Sequence, residues 1–146
     1  MPYTIGQAAE KMGLTAHTLR YYDKEGLLPF VAKASSGQRV FAETDIEWLV
    51  MIECLKGTGM TLKDIKQYID WYIEGDTTLE KRLEMFKNQK VKLEEQMAQL
   101  QKHLEKINFK IKYYTDAVAN GNTNVYERNK NLAAEKERIF KNAYKK

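Results

Sequence analysis

The chain has a single cysteine, Cys54, and only two histidines, His17 and His103. One thiol excludes an intramolecular disulfide, and two imidazoles beside it argue against a closed zinc site, so no bound metal is expected. No window approaches the roughly 18 consecutive apolar residues that a membrane span needs, and Met1-Pro2-Tyr3-Thr4 opens no apolar signal core. A cytoplasmic protein without a membrane partner is the expectation. No glycine-rich phosphate loop occurs, and neither histidine has a carboxylate and thiol in a recognisable nucleophilic arrangement, so neither an enzyme nor a cofactor is expected.

What is present is mildly basic. The 146 residues, 43% hydrophobic and 30% charged, suffice for one modest globular domain plus extended helix. A net charge of +4 and a pI near 9.0 are compatible with a polyanionic partner without proving one.

Helix starts recur along the chain. Thr4 with Gln7, Thr44 with Glu47, Thr61 with Asp64 and Thr77 with Glu80 all fit the pattern in which a hydroxyl and a residue three later satisfy orphan amides. The first helix, from Ile5 to about Met12, places Ile5, Ala8, Ala9 and Met12 on one side, and Gly13 turns the chain into Thr15. Thr15 can cap a second helix on which Leu19 and Tyr22 repeat at helical spacing, while His17, Thr18, Arg20, Tyr21 and Lys24 crowd the remaining faces. Two short helices joined by a glycine turn are a helix-turn-helix, and a helix this rich in donors suits phosphate oxygens and base edges. A solvated face with ordinary charges is the plainer reading of the same stretch.

After Pro29 the pattern becomes extended. Phe30-Val31-Ala32-Lys33 and Gln38-Arg39-Val40-Phe41 flank Ala34-Ser35-Ser36-Gly37, a short β-hairpin that would act as a wing with Arg39 as a phosphate candidate or, more plainly, a solvated strand arginine. Two further helices are expected, Asp45 to about Lys56 and Leu62 to about Glu74. Ile46, Leu49, Ile52 and Leu55 in one, and Ile65, Tyr68, Ile69 and Tyr72 in the other, would close a core, with Trp48 and Trp71 as packing residues.

From Thr78 a single long helix is predicted. Leu79, Leu83, Phe86, Leu93, Met97, Leu100, Leu104, Ile107, Ile111, Tyr114 and Val118 fall on alternating spacings of four and three, with Lys90 the one interruption. A stripe that long exceeds what the globular part can bury, so it calls for a partner helix. Antiparallel pairing with a second copy would make a homodimer, with Leu83, Phe86, Leu93, Met97, Leu100, Leu104, Ile107 and Ile111 in its interface. Asn120-Gly121-Asn122-Thr123-Asn124 then stops the coil, and Val125 to Lys146, weakly amphipathic through Leu132, Ala133, Ile139, Phe140 and Tyr144, reads as a short helix or a solvated tail. The fold class is therefore all-α with a small β wing, a winged helix-turn-helix followed by a long dimerising coiled-coil helix. Its expected domains are 1–75 for DNA binding, 76–120 for dimerisation and 121–146 for the turn and tail.

Thr4-Ile5-Gly6-Gln7-Ala8-Ala9, then Thr18-Leu19-Arg20-Tyr21-Tyr22, Glu25-Gly26-Leu27-Leu28 and Gly37-Gln38-Arg39-Val40-Phe41, resembles the N-terminal signature of MerR-type transcription regulators. The resemblance covers residues 3 to 75 by motif and the remainder only by coiled-coil architecture. It implies double-stranded DNA as partner, with Thr15 to Lys24 entering the major groove, Arg20 and Tyr21 on backbone phosphates and Arg39 anchoring the wing. It further implies a palindromic promoter operator, distortion of that DNA, and RNA polymerase as the partner that gains from it. Metal-sensing relatives carry cysteines after the dimerisation helix, where Asn120 to Asn124 has none, and the residues after Asn124 are too few for an appended drug-binding domain. Cys54-Leu55-Lys56-Gly57-Thr58-Gly59-Met60 instead looks like the small single-cysteine branch of NmlR and AdhR type, linked to aldehyde and nitrosothiol stress. In that branch the lone thiol is held to be the sensor of a small electrophile.

The residues alone leave Cys54 open. It sits near a helix C-terminus, where the macrodipole disfavours a thiolate, and buried free cysteine is commonly just a small hydrophobe. An architectural or excisionase-like DNA binder without an effector is the alternative function, although it would have little use for a dimerising helix of this length.

Overall fold

The computed structural model describes residues 2–141, and the expectation for Tyr144 lies outside the described residues. The chain is mainly helical, with α1 at Ile5–Met12, α2 at Ala16–Lys24, α3 at Glu43–Gly57, α4 at Leu62–Glu74, α5 at Leu79–Asn120, α6 at Val125–Arg128 and α7 at Lys130–Phe140. Strands β1, Ala32–Lys33, and β2, Arg39–Val40, pair antiparallel with Ala32 opposite Val40 and Lys33 opposite Arg39. The wing's paired region is thus two residues per strand, extended by a bridge from Phe41 to Tyr3. No helix among the described residues is long and apolar enough to cross a membrane.

Local chemistry explains most of these boundaries. Thr4 Oγ accepts from Gln7 N–H at 3.2 Å, and Gln7 Oε1 accepts in return from Thr4 N–H at 2.9 Å, which completes the expected box. Gly13 ends α1 at φ 68°, in the left-handed region that a side chain disfavours. Two expected starts are corrected. Helix α3 begins at Glu43, ahead of Thr44, because Asp45, itself buried, reaches back to accept from Ala42 N–H at 2.8 Å. Instead of a Thr77 cap, a 3-10 turn at Asp76–Thr78 leads into α5. There the buried Thr78 hydroxyl lies 2.7 Å from the carbonyls of Trp71 and Gly75, and Arg82 Nη2 donates to Gly75 O at 2.9 Å.

Two compact units divide within α5, Met1–Leu93 and Glu94–Lys146. The first has its own core of Ala8, Ala9, Leu19, Tyr22, Leu27, Leu28, Val31, Phe41, Ile46, Leu49, Ile52, Met60, Ile65 and Ile69. Leu55 packs against this core half-buried, whereas Tyr72 is exposed. Trp48 packs between Phe30 and Tyr72, at ring separations of 5.3 and 4.7 Å, as a packing residue should.

The second unit is held by Phe109, Ala117, Val125 and Leu132, with Tyr113, Tyr126, Ile139 and Phe140 packed around them. Asn129 caps α7 by accepting from Leu132 N–H at 3.0 Å. Arg128 pairs with Asp116 at 2.6 Å and Lys112 with Glu135 at 3.0 Å. The segment after Gly121 is consequently two short helices laid on the chain's own α5, not a solvated tail, through Phe140.

Candidate nucleic-acid interface

Helix α2 divides its residues by period. Leu19 and Tyr22 are buried in the core of the first unit, which leaves Thr15, His17, Arg20, Tyr21 and Lys24 exposed and Thr18 half-buried. Thr15 Oγ accepts from Thr18 N–H at 3.1 Å, and the two hydroxyls lie 3.0 Å apart, so both threonines serve the cap first. Among the described residues neither Arg20 nor Lys24 enters an ion pair. Their cationic heads are therefore available to an anion, and the imidazole of His17 and phenol of Tyr21 supply further donors on the same short helix.

The buried side of α2 is fixed by a polar link that the hydrophobic period does not announce. Tyr22 Oη donates to Glu53 Oε1 at 2.6 Å and accepts from Lys56 Nζ at 3.1 Å, tying α2 to α3. Burial, and then the hydrogen bond to Glu53, push the Tyr22 phenol above its ordinary value, while the bond from Lys56 acts in the opposite sense. That same hydrogen bond to Tyr22 raises Lys56. After α2, Gly26 adopts φ 79° and receives Lys66 so closely that a Cβ at this position would stand 2.7 Å from Lys66 Cε.

Arg39 is placed differently from the α2 cations. Its guanidinium turns inward: Nε and Nη2 donate to Asp23 Oδ1 at 3.0 and 2.7 Å, and Nη1 donates to the carbonyl of Val31. It is neither the solvated strand arginine of the plainer reading nor an unencumbered phosphate donor. Asp23 was missed by the sequence reading, although a carboxylate on a helix otherwise rich in donors is itself a signal that some cation must neutralise it. Arg20, Asp23, Gly37, Gln38 and Arg39, with Thr4 and Ile5 at the start of α1, line a cleft of about 270 Å³ between helix and wing.

Cys54 lies in the last turn of α3 and is exposed, near Val50, which is also exposed. The filler reading of this thiol does not hold within the chain, because α3 buries Ile46, Leu49 and Ile52 and turns Cys54 outward. On α5, Leu83, Leu93, Met97, Leu100, Leu104, Ile107 and Ile111 are all exposed, Leu100 at 67%. Phe86 departs from this set: it packs edge-on to Tyr68 at 5.1 Å and helps cover the chain's own first core.

Comparison with known proteins gives consistent relationships. A family model described as MerR HTH family regulatory protein matches residues 3–70, and one described as MerR, DNA binding matches residues 46–108. The chain is 47% identical over 121 residues to an uncharacterized HTH-type transcriptional regulator of Haemophilus influenzae, covering 83% of this chain and 90% of that one. It is 38% identical over 89 residues to the HTH-type transcriptional regulator AdhR of Bacillus subtilis, covering 61% and 64% of the two. Among solved structures it is similar to HiNmlR, a MerR family regulator lacking the sensor domain, bound to promoter DNA. That similarity has a TM-score of 0.71 at 46% identity, over 84% of this chain and 98% of that one.

Proposed function

Because this chain belongs to the MerR family of helix-turn-helix regulatory proteins, we propose that it is a transcriptional regulator that binds a palindromic promoter operator as a homodimer. The observation that carries this reading is the division of α2, one side locked into the core and the other presenting His17, Arg20, Tyr21 and Lys24 to solvent. Helix α2 enters the major groove, where Arg20, Tyr21 and Lys24 set the register on backbone phosphates and His17 and Thr18 lie toward the base edges. HiNmlR, which is similar over most of this chain, was solved on promoter DNA, and that supports the same class of ligand here.

The exposed apolar stripe from Leu93 to Ile111 supports the homodimer. Pairing of two copies places two reading helices on two half-sites and makes binding of the second intramolecular. Distortion of the operator then presents both promoter elements to RNA polymerase, at a deformation cost offset by backbone contacts. Such a role places the protein in the cytoplasm. The exposure of Cys54 supports its candidacy as the point where a small electrophile acts, since a thiol must be reached before it can be modified. Footprinting of the purified chain on its own upstream region tests the proposal: a protected palindrome between promoter elements is expected, and protection without symmetry or promoter position favours an architectural binder.

A further inference from the structure

We infer that Asp23 and Arg39 form a brace that positions the wing on α2, and that Arg39 serves DNA binding through this brace rather than as a direct phosphate contact. The inference rests on the DNA-binding reading above and deepens it. The wing has two paired residues per strand; the Tyr3–Phe41 bridge and the buried Val31 and Phe41 seat its base, but a ladder of that size adds little orientation of its own. Arg39 supplies what the ladder lacks. Its Nε and Nη2 both reach Asp23 in the last turn of α2, and its Nη1 reaches the carbonyl of Val31, beside β1. One planar side chain thus fastens both sides of the hairpin base to the helix that faces DNA.

Charge points the same way. An acid on the DNA-facing helix would repel phosphate, and Arg39 cancels it, with side chains that are only 19% and 29% exposed. The pair is neutral overall, so it releases no counterion when DNA binds, in contrast to Arg20. The brace also walls the cleft shared by Arg20, Gly37 and Gln38, which fixes the spacing between helix and wing.

Operator affinity and its salt dependence, measured for wild type, Asp23→Asn, Arg39→Gln, Arg39→Lys and the Asp23→Asn/Arg39→Gln pair, test this. Each single change, including the charge-preserving Arg39→Lys, is expected to weaken binding about tenfold, the pair no more than the worse single, and the Arg39→Gln salt slope to stay at the wild-type value. Hydroxyl-radical protection is expected to fade under the wing and persist under α2, a pattern that general unfolding does not produce. Tighter binding by Asp23→Asn, near wild-type binding by Arg39→Lys, or a slope lowered by about one in Arg39→Gln overturns the brace and makes Arg39 a phosphate contact. Should Arg39→Gln fail to fold, Arg39→Lys and Asp23→Asn decide alone. A wild-type chain that prefers no operator overturns the functional reading, and the brace with it.

Discussion

The unit Met1–Leu93 closes a core around Leu19, Tyr22, Phe41, Leu49, Ile52, Ile65 and Ile69, whereas among the described residues Glu94–Lys146 buries only Phe109, Ala117, Val125 and Leu132. The second unit meanwhile leaves Met97, Leu100, Leu104, Ile107 and Ile111 at least half exposed. The first builds the larger core, although Leu79, Leu83 and Val91 near its end stay exposed, and the second leaves a longer apolar stripe uncovered. The main core and the proposed assembly surface therefore draw largely on different stretches of the same chain, and substitutions should separate them.

The largest effect is expected on the seam. Leu100→Glu with Leu104→Glu removes four apolar side chains from the proposed symmetric interface, each contributing roughly 1.5–3 kcal/mol when buried. The dimer should fall apart at micromolar concentration while far-ultraviolet helicity of the first unit persists. Light scattering that reports an intact dimer would relocate the interface.

Next comes Phe109→Ala, which opens the small core of the second unit at a cost of about 3–5 kcal/mol. Hydrogen exchange should accelerate in α7 and leave α2 and α3 protected. Uniform acceleration would mean that the two units are one cooperative body.

Within the first unit, Tyr22→Phe should cost about 1 kcal/mol, since it leaves Glu53 and Lys56 without their shared hydroxyl. It should also change the alkaline limb. The folded Tyr22 phenol titrates above its ordinary value of 10.0, so the stability it contributes is complete below pH 10 and is lost as pH rises through the folded value. Denaturant titrations from pH 9 to 11 should therefore show a shallower decline in the phenylalanine variant, and parallel declines would remove Tyr22 from the linkage.

The smallest structural effect is expected at Cys54. Because the thiol is exposed, Cys54→Ser should change stability by no more than about 0.5 kcal/mol and operator affinity by no more than a few fold. Promoter output under aldehyde challenge is the discriminating readout: its loss supports a sensor, and full induction removes the residue from signalling.

The same contrast governs what could be read from the sequence. Helices α1, α2 and α4 were legible because their caps and apolar periods are local, and the division of α2 followed from Leu19 and Tyr22 alone. The start of α3 was not, since Thr44-x-x-Glu47 and Ala42-x-x-Asp45 compete, and only the burial of Asp45 decides between them. Arg39 was found as a candidate, but its inward turn depends on Asp23, sixteen residues earlier in the chain. The Tyr22, Glu53 and Lys56 link likewise joins residues that no periodicity connects. Cys54 could be placed near a helix end but not assigned to its outer face, because α3 carries apolar residues on several sides.

The most direct test of a chain proposed to read DNA as two copies is the mass of its complex with a single palindromic duplex, measured by native mass spectrometry across a concentration series. The account predicts two chains per duplex, with the one-chain species scarcely populated and restored as the main species by the Leu100→Glu/Leu104→Glu protein at much weaker affinity. One wild-type chain per duplex, bound as tightly as on the full operator, would contradict it.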